Sequence, residues 1–209
     1  MKRALILVLA AAPLLAQPYA FRKHYISAGG GGGVPANDLS PFFSASPVVG
    51  FHYGYRFHEY FQIDAGFDAV FHAAKVRDFF QSEIGDLRIR DFQYMVPLGG
   101  RAILPIASNR VLLSFGGGAA YLRYQESIRQ PFGDSGFRFE CPVCRSRSGW
   151  GYYGLIGGSV ALDRAQHFRL GVTTRLYRAD TTGDAFGLLP PVRSSDSWVN
   201  TAAEFTFSF

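Results

Sequence analysis

The fold class this sequence predicts is all-β: an eight-stranded antiparallel up-and-down barrel that crosses a membrane. Three observations predict it. Apolar residues alternate with polar ones over segments of about ten residues, the period of two that gives a strand one apolar and one polar face. The stretches between these segments are alternately long and short, as in barrels with long loops on one side of a membrane and short turns on the other. The chain also ends on an aromatic, in Phe205-Thr206-Phe207-Ser208-Phe209. Such an ending would fray in water, but it suits a closing strand whose apolar face meets lipid.

Met1-Lys2-Arg3 is a short basic region and Ala4–Leu15 is an uncharged apolar run. The run is shorter than the roughly 20 apolar residues a spanning helix needs. With the small Ala16 before Gln17 it reads as a secretory signal peptide over residues 1–16, leaving a barrel domain over 17–209. A buried N-terminal helix is the alternative. No cysteine follows the run, so no lipid anchor is expected there. The formal charge of +5 falls to +3 when Lys2 and Arg3 leave (5 − 2). That charge is too small and too dispersed for a nucleic-acid partner. Arginine suits bidentate phosphate contacts, so lipid phosphates fit an exported chain better.

The strands follow in order. Phe21–Val34 is the first, running into the glycines Gly29–Gly33, which would weaken a strand in water. Asn37–Ser46 is a loop. Pro47–Phe57 places Val49, Phe51, Tyr53, Tyr55 and Phe57 on one face and Val48, Gly50, His52, Gly54 and Arg56 on the other. After a tight turn at His58-Glu59-Tyr60, Phe61–His72 repeats the pattern: Phe61, Ile63, Ala65, Phe67, Ala69 and Phe71 oppose Gln62, Asp64, Gly66, Asp68, Val70 and His72. Ala73–Gln93 mixes charges of both signs and reads as an exposed loop. Tyr94–Ile106 turns Tyr94, Val96, Leu98, Ala102 and Leu104 outward and Arg101 inward, with Pro97 and Pro105 awkward for a central strand.

After the short turn Ala107–Arg110, Val111–Gln125 places Leu113, Phe115, Ala119 and Tyr121 outward. Glu126–Ser148, the longest irregular stretch, holds both cysteines. Gly149–Leu162 turns out Trp150, Tyr152, Ile156, Val160 and Leu162, and Asp163–His167 turns the chain. Phe168–Tyr177 places Phe168, Leu170, Val172 and Leu176 outward against Arg169, Thr173 and Arg175. Arg178–Asp196 is a loop, and Ser197–Phe209 closes the barrel.

These segments approach the 9–11 tilted residues that cross a membrane. Aromatic girdles emerge at both ends: Tyr94, Tyr121, Trp150 and Tyr152 on the outer side, and Tyr55, Phe57, Phe61, Phe168 and Phe209 on the inner. A soluble lipocalin-like or sandwich fold would turn the apolar face inward, and periodicity alone does not separate the two. The signal peptide, the loop alternation and the terminal aromatic favour the membrane barrel.

The terminal Phe205, Phe207 and Phe209 resemble the C-terminal signal by which outer-membrane barrels are recognised for insertion. Across the mature chain the architecture resembles the small OmpA/OmpX-like outer-membrane barrels, within a broad porin-like family. The glycine-rich first strand and the two cysteines go beyond that pattern. The resemblance implies location in the outer membrane, contact with its lipid and lipopolysaccharide, and dependence on the barrel-insertion machinery. It also implies roles in membrane integrity and in binding surface ligands through the outer loops. No peptidoglycan-binding domain is expected after Phe209, and no cofactor is expected.

Three constellations are candidate sites. Arg56, Asp64, Asp68, Arg101, Arg169, Arg175 and Glu204 face inward, in a lumen just wide enough for its side chains. Such charges must pair or meet water. They form either a plug of ion pairs or a gate that lets ions pass through a narrow channel. Counting up from the turns puts Asp64, Arg101 and Glu204 at one height and Asp68 and Arg175 higher. Cys141-Pro142-Val143-Cys144 most simply forms a loop disulfide in an oxidising compartment. Zinc would need further ligands, and no histidine lies in that stretch; thioredoxin-like chemistry would need a helix N-terminus. Lipid-modifying catalysis would need Ser, His and an acid near the outer leaflet. No His-x-Ser pairing resembling the barrel deacylases occurs among His24, His52, His58, His72 and His167, so a non-enzymatic role is expected.

Overall fold

A computed structural model of the chain describes residues 21–75, 79–82, 85–129, 140–184 and 193–209; residues 1–16, where a signal peptide is expected, lie outside them. The strands are β1 (His24–Ala36), β2 (Ser46–His58), β3 (Phe61–Phe71), β4 (Phe79–Ser82), β5 (Gly85–Ile106), β6 (Val111–Arg129), β7 (Glu140–Ala161), β8 (Phe168–Gly183) and β9 (Arg193–Ser208). Each pairs antiparallel with its sequence neighbour where the two are adjacent in the sheet, and β1 pairs with β9 from Tyr25↔Ser208 to Ala36↔Ser197. A further β3–β5 pairing closes the ring of eight strands, with β4 a short extra strand on the edge of β5. The start of β1 meets the end of β9 at the short-turn end, where His24 and Phe209 exchange two backbone hydrogen bonds of 3.0 Å. Closure leaves no free edge, so every spanning strand can satisfy its backbone groups within the sheet.

Alternation sets the two faces. On the outside Phe51, Ile63, Leu98, Phe115, Ile156 and Leu176 are all exposed, Ile156 by 66%. Leaving that much apolar area in water would be costly, and a hydrocarbon surround removes the cost. Ala69 departs from its strand's pattern, being buried although it shares the outward parity. Among the described residues no helix is long and apolar enough to cross a membrane.

Three stretches expected to be loops are partly strand. Ala73–Gln93 contains β4 and the start of β5, which pair from Phe79↔Arg88 to Ser82↔Gly85. Glu126–Ser148 contains the end of β6 and the start of β7, and Arg178–Asp196 contains the end of β8 and the start of β9. The reason is physical. Beyond the membrane the outward face of a strand meets water in place of lipid and turns polar, so the backbone ladder continues while the apolar alternation that marks a strand disappears.

The two awkward prolines sit where the ladder is already open. The β3–β5 pairing stops at Ala65↔Leu98 and resumes at Asp68↔Met95, leaving Pro97 in the gap. Pro105 lies past Ala102, the β5 partner of the first β3 residue, Phe61.

Candidate functional site in the barrel lumen

The inward side chains form layers along the barrel. At the short-turn end two arginines tie down turns. Arg56 donates through Nε and Nη2 to the carbonyl of Glu59 and through Nη1 to Tyr25 Oη at 3.0 Å. Arg169 donates through Nη2 to the carbonyls of Asn109 (2.9 Å) and Arg110 (3.1 Å). The second turn needs such support because Ala107, Ser108 and Asn109 hold φ of 52, 56 and 65°, a left-handed run that costs L-residues roughly 1–2 kcal/mol each. Arg56 and Arg169 therefore belong to the turns and stand apart from the other inward charges.

Above them lies the ionic network. Arg101 Nε is 2.5 Å from Asp64 Oδ2, and Gln62 Nε2 donates to the other oxygen of Asp64. Arg175 Nη1 is 2.7 Å from Glu204 Oε1 and 4.0 Å from Asp68 Oδ2. Thr173 donates to Glu204 at 3.1 Å and Tyr177 to Asp68 at 2.7 Å. So Asp64 with Arg101 forms one group and Asp68, Arg175 and Glu204 another. Glu204 leaves the height class that counting gave it, because strand stagger shifts levels between neighbours.

His52, absent from the predicted charge set, stands between two of these carboxylates. Its Nε2 is 3.1 Å from Asp68 Oδ1 and its Nδ1 3.8 Å from Glu204 Oε1; neither contact is aligned as a hydrogen bond. Its inward parity with Arg56 was the available signal. Glycine makes the room: a Cβ on Gly66 would lie 2.0 Å from His52 Cδ2, and one on Gly50 would lie 2.4 Å from Asp68 Oδ1. A polar cavity of about 60 Å³ remains on the short-turn side, between residues such as Gln62, Ser114 and Thr173. It has room for a few waters.

Over the network sits an apolar layer. Val70, Met95, Leu122 and Trp198 are all fully buried at 0% exposure. Leu39 and Phe43, from the loop after β1, join this core, Phe43 meeting Tyr124 edge-on at 5.5 Å and Trp198 at 5.9 Å. Backbone bonds from Ser44 N to Ala73 O (2.7 Å) and from Lys75 N to Phe42 O (2.8 Å) tie that loop across the mouth. Higher still, Arg147 pairs with Asp196 at 3.2 Å and lies over the Tyr124 ring at 4.7 Å. Beyond the outer girdle, burial pushes the Glu126 carboxyl above the usual carboxylate range, with Arg145 opposing the shift. The open space at this mouth measures about 810 Å³.

Cys141 and Cys144 are joined as a disulfide on β7, not within a loop. The β6–β7 register jumps from Glu126↔Arg145 to Ile128↔Cys141, so the bond closes a bulge that lifts Pro142 and Val143 out of the ladder. His72, just past the end of β3, is exposed, with a φ of 55°.

Comparison with known proteins agrees with this geometry. The closed eight-strand ring resembles Neisserial surface protein A (13% identity, 89% of this chain and 97% of that one, TM-score 0.51). It also resembles the outer membrane protein OprG from Pseudomonas aeruginosa (12%, 90% and 98%, TM-score 0.53). A major outer membrane protein from Thermus thermophilus is similar as well (10%, 91% and 100%, TM-score 0.50). At these identities the likeness concerns the fold alone. A search of curated protein sequences returns no match. The family model for the outer membrane protein beta-barrel domain matches residues 4–189. The chain thus belongs to the outer membrane protein β-barrel family and is a protein of the outer membrane.

Proposed function

We propose that this outer-membrane barrel is non-conducting, with a plugged interior that holds its shape, and that it acts in surface interaction through the outer parts of its strands and loops. One observation carries the reading: Val70, Met95, Leu122 and Trp198 fill the upper lumen with no exposure to solvent. Below them each carboxylate of the network has a basic partner within 4.0 Å. Ions would have to cross both an apolar constriction, which dewets, and a set of paired charges. At the outer end the strand extensions and the loop packed over the mouth present a structured surface for a partner.

The two tryptophans test this directly. Trp198 lies inside the apolar layer, whereas Trp150 faces outward and is 68% exposed. In a Trp150→Phe variant folded into vesicles, Trp198 fluorescence is expected to resist both aqueous acrylamide and brominated acyl chains. Quenching by acrylamide as strong as for a free indole would replace the plug with an aqueous pore.

A further inference from the structure

We propose that the outer mouth of the barrel is a binding site for a small amphiphilic anion, an organic carboxylate with a flat apolar body, held between the loop after β1 and the outer extensions of β7 and β9. The inference deepens the surface role proposed above and rests on the closed lumen, which makes the mouth a dead end where a ligand lodges.

The open space there, about 810 Å³, lies within the range of roughly 300–1,000 Å³ that holds small ligands. Its two walls differ in chemistry. Leu39, Pro41, Phe42 and Phe43, all from the loop after β1, make an apolar wall. Arg145 and Ser146 from β7, with Arg193, Ser194 and Ser195 from β9, make a polar one. A molecule that satisfies both walls has an apolar body and a polar head.

Phe42 departs from its neighbours. Leu39 and Phe43 are buried and fasten the loop to the core, but Phe42 stays 68% exposed. Its backbone is nevertheless fixed: its N–H donates to the Leu39 carbonyl at 3.0 Å, and its carbonyl accepts from Lys75 N at 2.8 Å. Asn37 Nδ2 donates to Ser197 Oγ at 3.2 Å and ties the start of the loop to β9. A tethered loop that holds a bare aromatic ring at an open pocket is pre-organised for stacking.

On the polar side some donors are already spent. Arg147 pairs with Asp196 at 3.2 Å, and Lys75 Nζ donates to the Ser40 carbonyl at 2.9 Å. Arg145 and Arg193 are exposed, and neither forms an ion pair with a described residue. The hydroxyls of Ser146, Ser194 and Ser195 have no hydrogen-bond partner among the described residues. Three acids share the mouth: Asp38 on the loop side, Asp184 just past β8, and Glu126. Glu126 faces Arg145 in the β6–β7 register, where burial disfavours its charged form. Two guanidiniums and three hydroxyls suit one carboxylate through charge-assisted hydrogen bonds, and the apolar wall takes the rest of the molecule.

The test uses the full mature protein in phosphatidylcholine nanodiscs, with naphthoate as the probe and calorimetric titration against empty discs as the readout. Wild type should bind naphthoate saturably. Arg145→Ala/Arg193→Ala should bind it roughly tenfold or more weakly, and Phe42→Ser should also weaken it. Arg110→Ala, at a turn on the opposite end, should bind as wild type does. Naphthamide has the same shape without the charge, and acetate has the charge without the rings; wild type should bind both far more weakly. No naphthoate binding above that of empty discs would overturn the proposal, as would undiminished binding by the double alanine variant. Naphthamide bound as tightly as naphthoate would overturn the anion assignment, and acetate bound as tightly would overturn the apolar one. Both comparisons use wild type and need no variant to fold. Acrylamide quenching of Trp198 in the Trp150→Phe protein reports the closed lumen separately. A shielded Trp198 without naphthoate binding would sink this site and leave the plugged barrel standing.

Discussion

Arg175 Nη1 lies 2.7 Å from Glu204 Oε1 with both side chains shielded from solvent. The contact is diagonal, since in the β8–β9 register Arg175 faces Asn200 and Glu204 faces Gly171. It ties two neighbouring strands at different levels and links through Asp68 to β3 across the lumen. Charges so placed are costly when one partner is lost.

Glu204→Ala is therefore expected to destabilise the barrel by about 3–5 kcal/mol, because it leaves the Arg175 guanidinium short of its nearest carboxylate. Arg175→Met combined with Glu204→Leu should cost less than the two single changes added together. Urea unfolding in lipid vesicles, run as a double-mutant cycle, checks this. Simple additivity would mean the two side chains do not interact.

Glycine space around His52 gives a second expectation. Gly66→Ala drives a methyl into the imidazole, with Cβ 2.0 Å from Cδ2, and overpacking of that kind costs about 1–3 kcal/mol. Gly32→Ala, on the outward face of β1 with nothing within 4 Å, should be close to neutral. Matched losses at the two sites would contradict the facing of β1 and β3.

Much of this was legible in the sequence. The inward or outward facing of Phe51, Asp64, Phe115, Arg175 and Phe205 followed from period two alone, because one side meets lipid and the other a polar lumen. The filled upper lumen is not legible in the same way. Met95, Leu122 and Trp198 share parity with Arg101, Gly118 and Glu204, but an apolar residue on a lumen face gives no hydropathy contrast with the lipid face. Leu39 and Phe43 were hidden more deeply, since a loop without periodicity does not reveal that it folds back over the mouth. By parity alone the seven inward charges form one set. Its division, with Arg56 and Arg169 given to turns, depends on stagger and on carbonyl positions that a sequence does not show.

On the lipid face, Phe67→Arg should cost roughly 2–4 kcal/mol if it sits near the midplane, whereas Phe42→Arg should be nearly neutral. Phe67 is an outward residue of β3, and Phe42 is 68% exposed in the loop after β1. The yield of folded protein after refolding into vesicles, followed by unfolding midpoints, checks the contrast. Equal tolerance would place Phe67 outside the hydrocarbon.

The periplasmic turn before β8 should respond to acid. Asp163 accepts backbone N–H bonds from Phe168 (2.9 Å) and His167 (3.2 Å), and the bond from Phe168 leads in holding its carboxyl below the ordinary value of 3.8. For a carboxylate with a lowered folded pKa, the stabilisation is fully present above the unfolded value and is lost as pH falls through the folded one. Amide exchange at His167 and Phe168 should therefore be unaffected by mild acid and accelerate only below about pH 4, beyond the intrinsic acid dependence of exchange. Asp163→Ala should show the faster exchange already at neutral pH.

The most direct measurement is planar-bilayer conductance of wild type beside Arg101→Ala. Arg101 Nε pairs with Asp64 at 2.5 Å, and removing it leaves a buried carboxylate that draws in water. Wild type is expected to give little or no conductance, and the variant, still folded by heat-modifiable mobility, to give more. Large, steady wild-type channels unchanged by Arg101→Ala would contradict the plugged barrel and put a pore in its place.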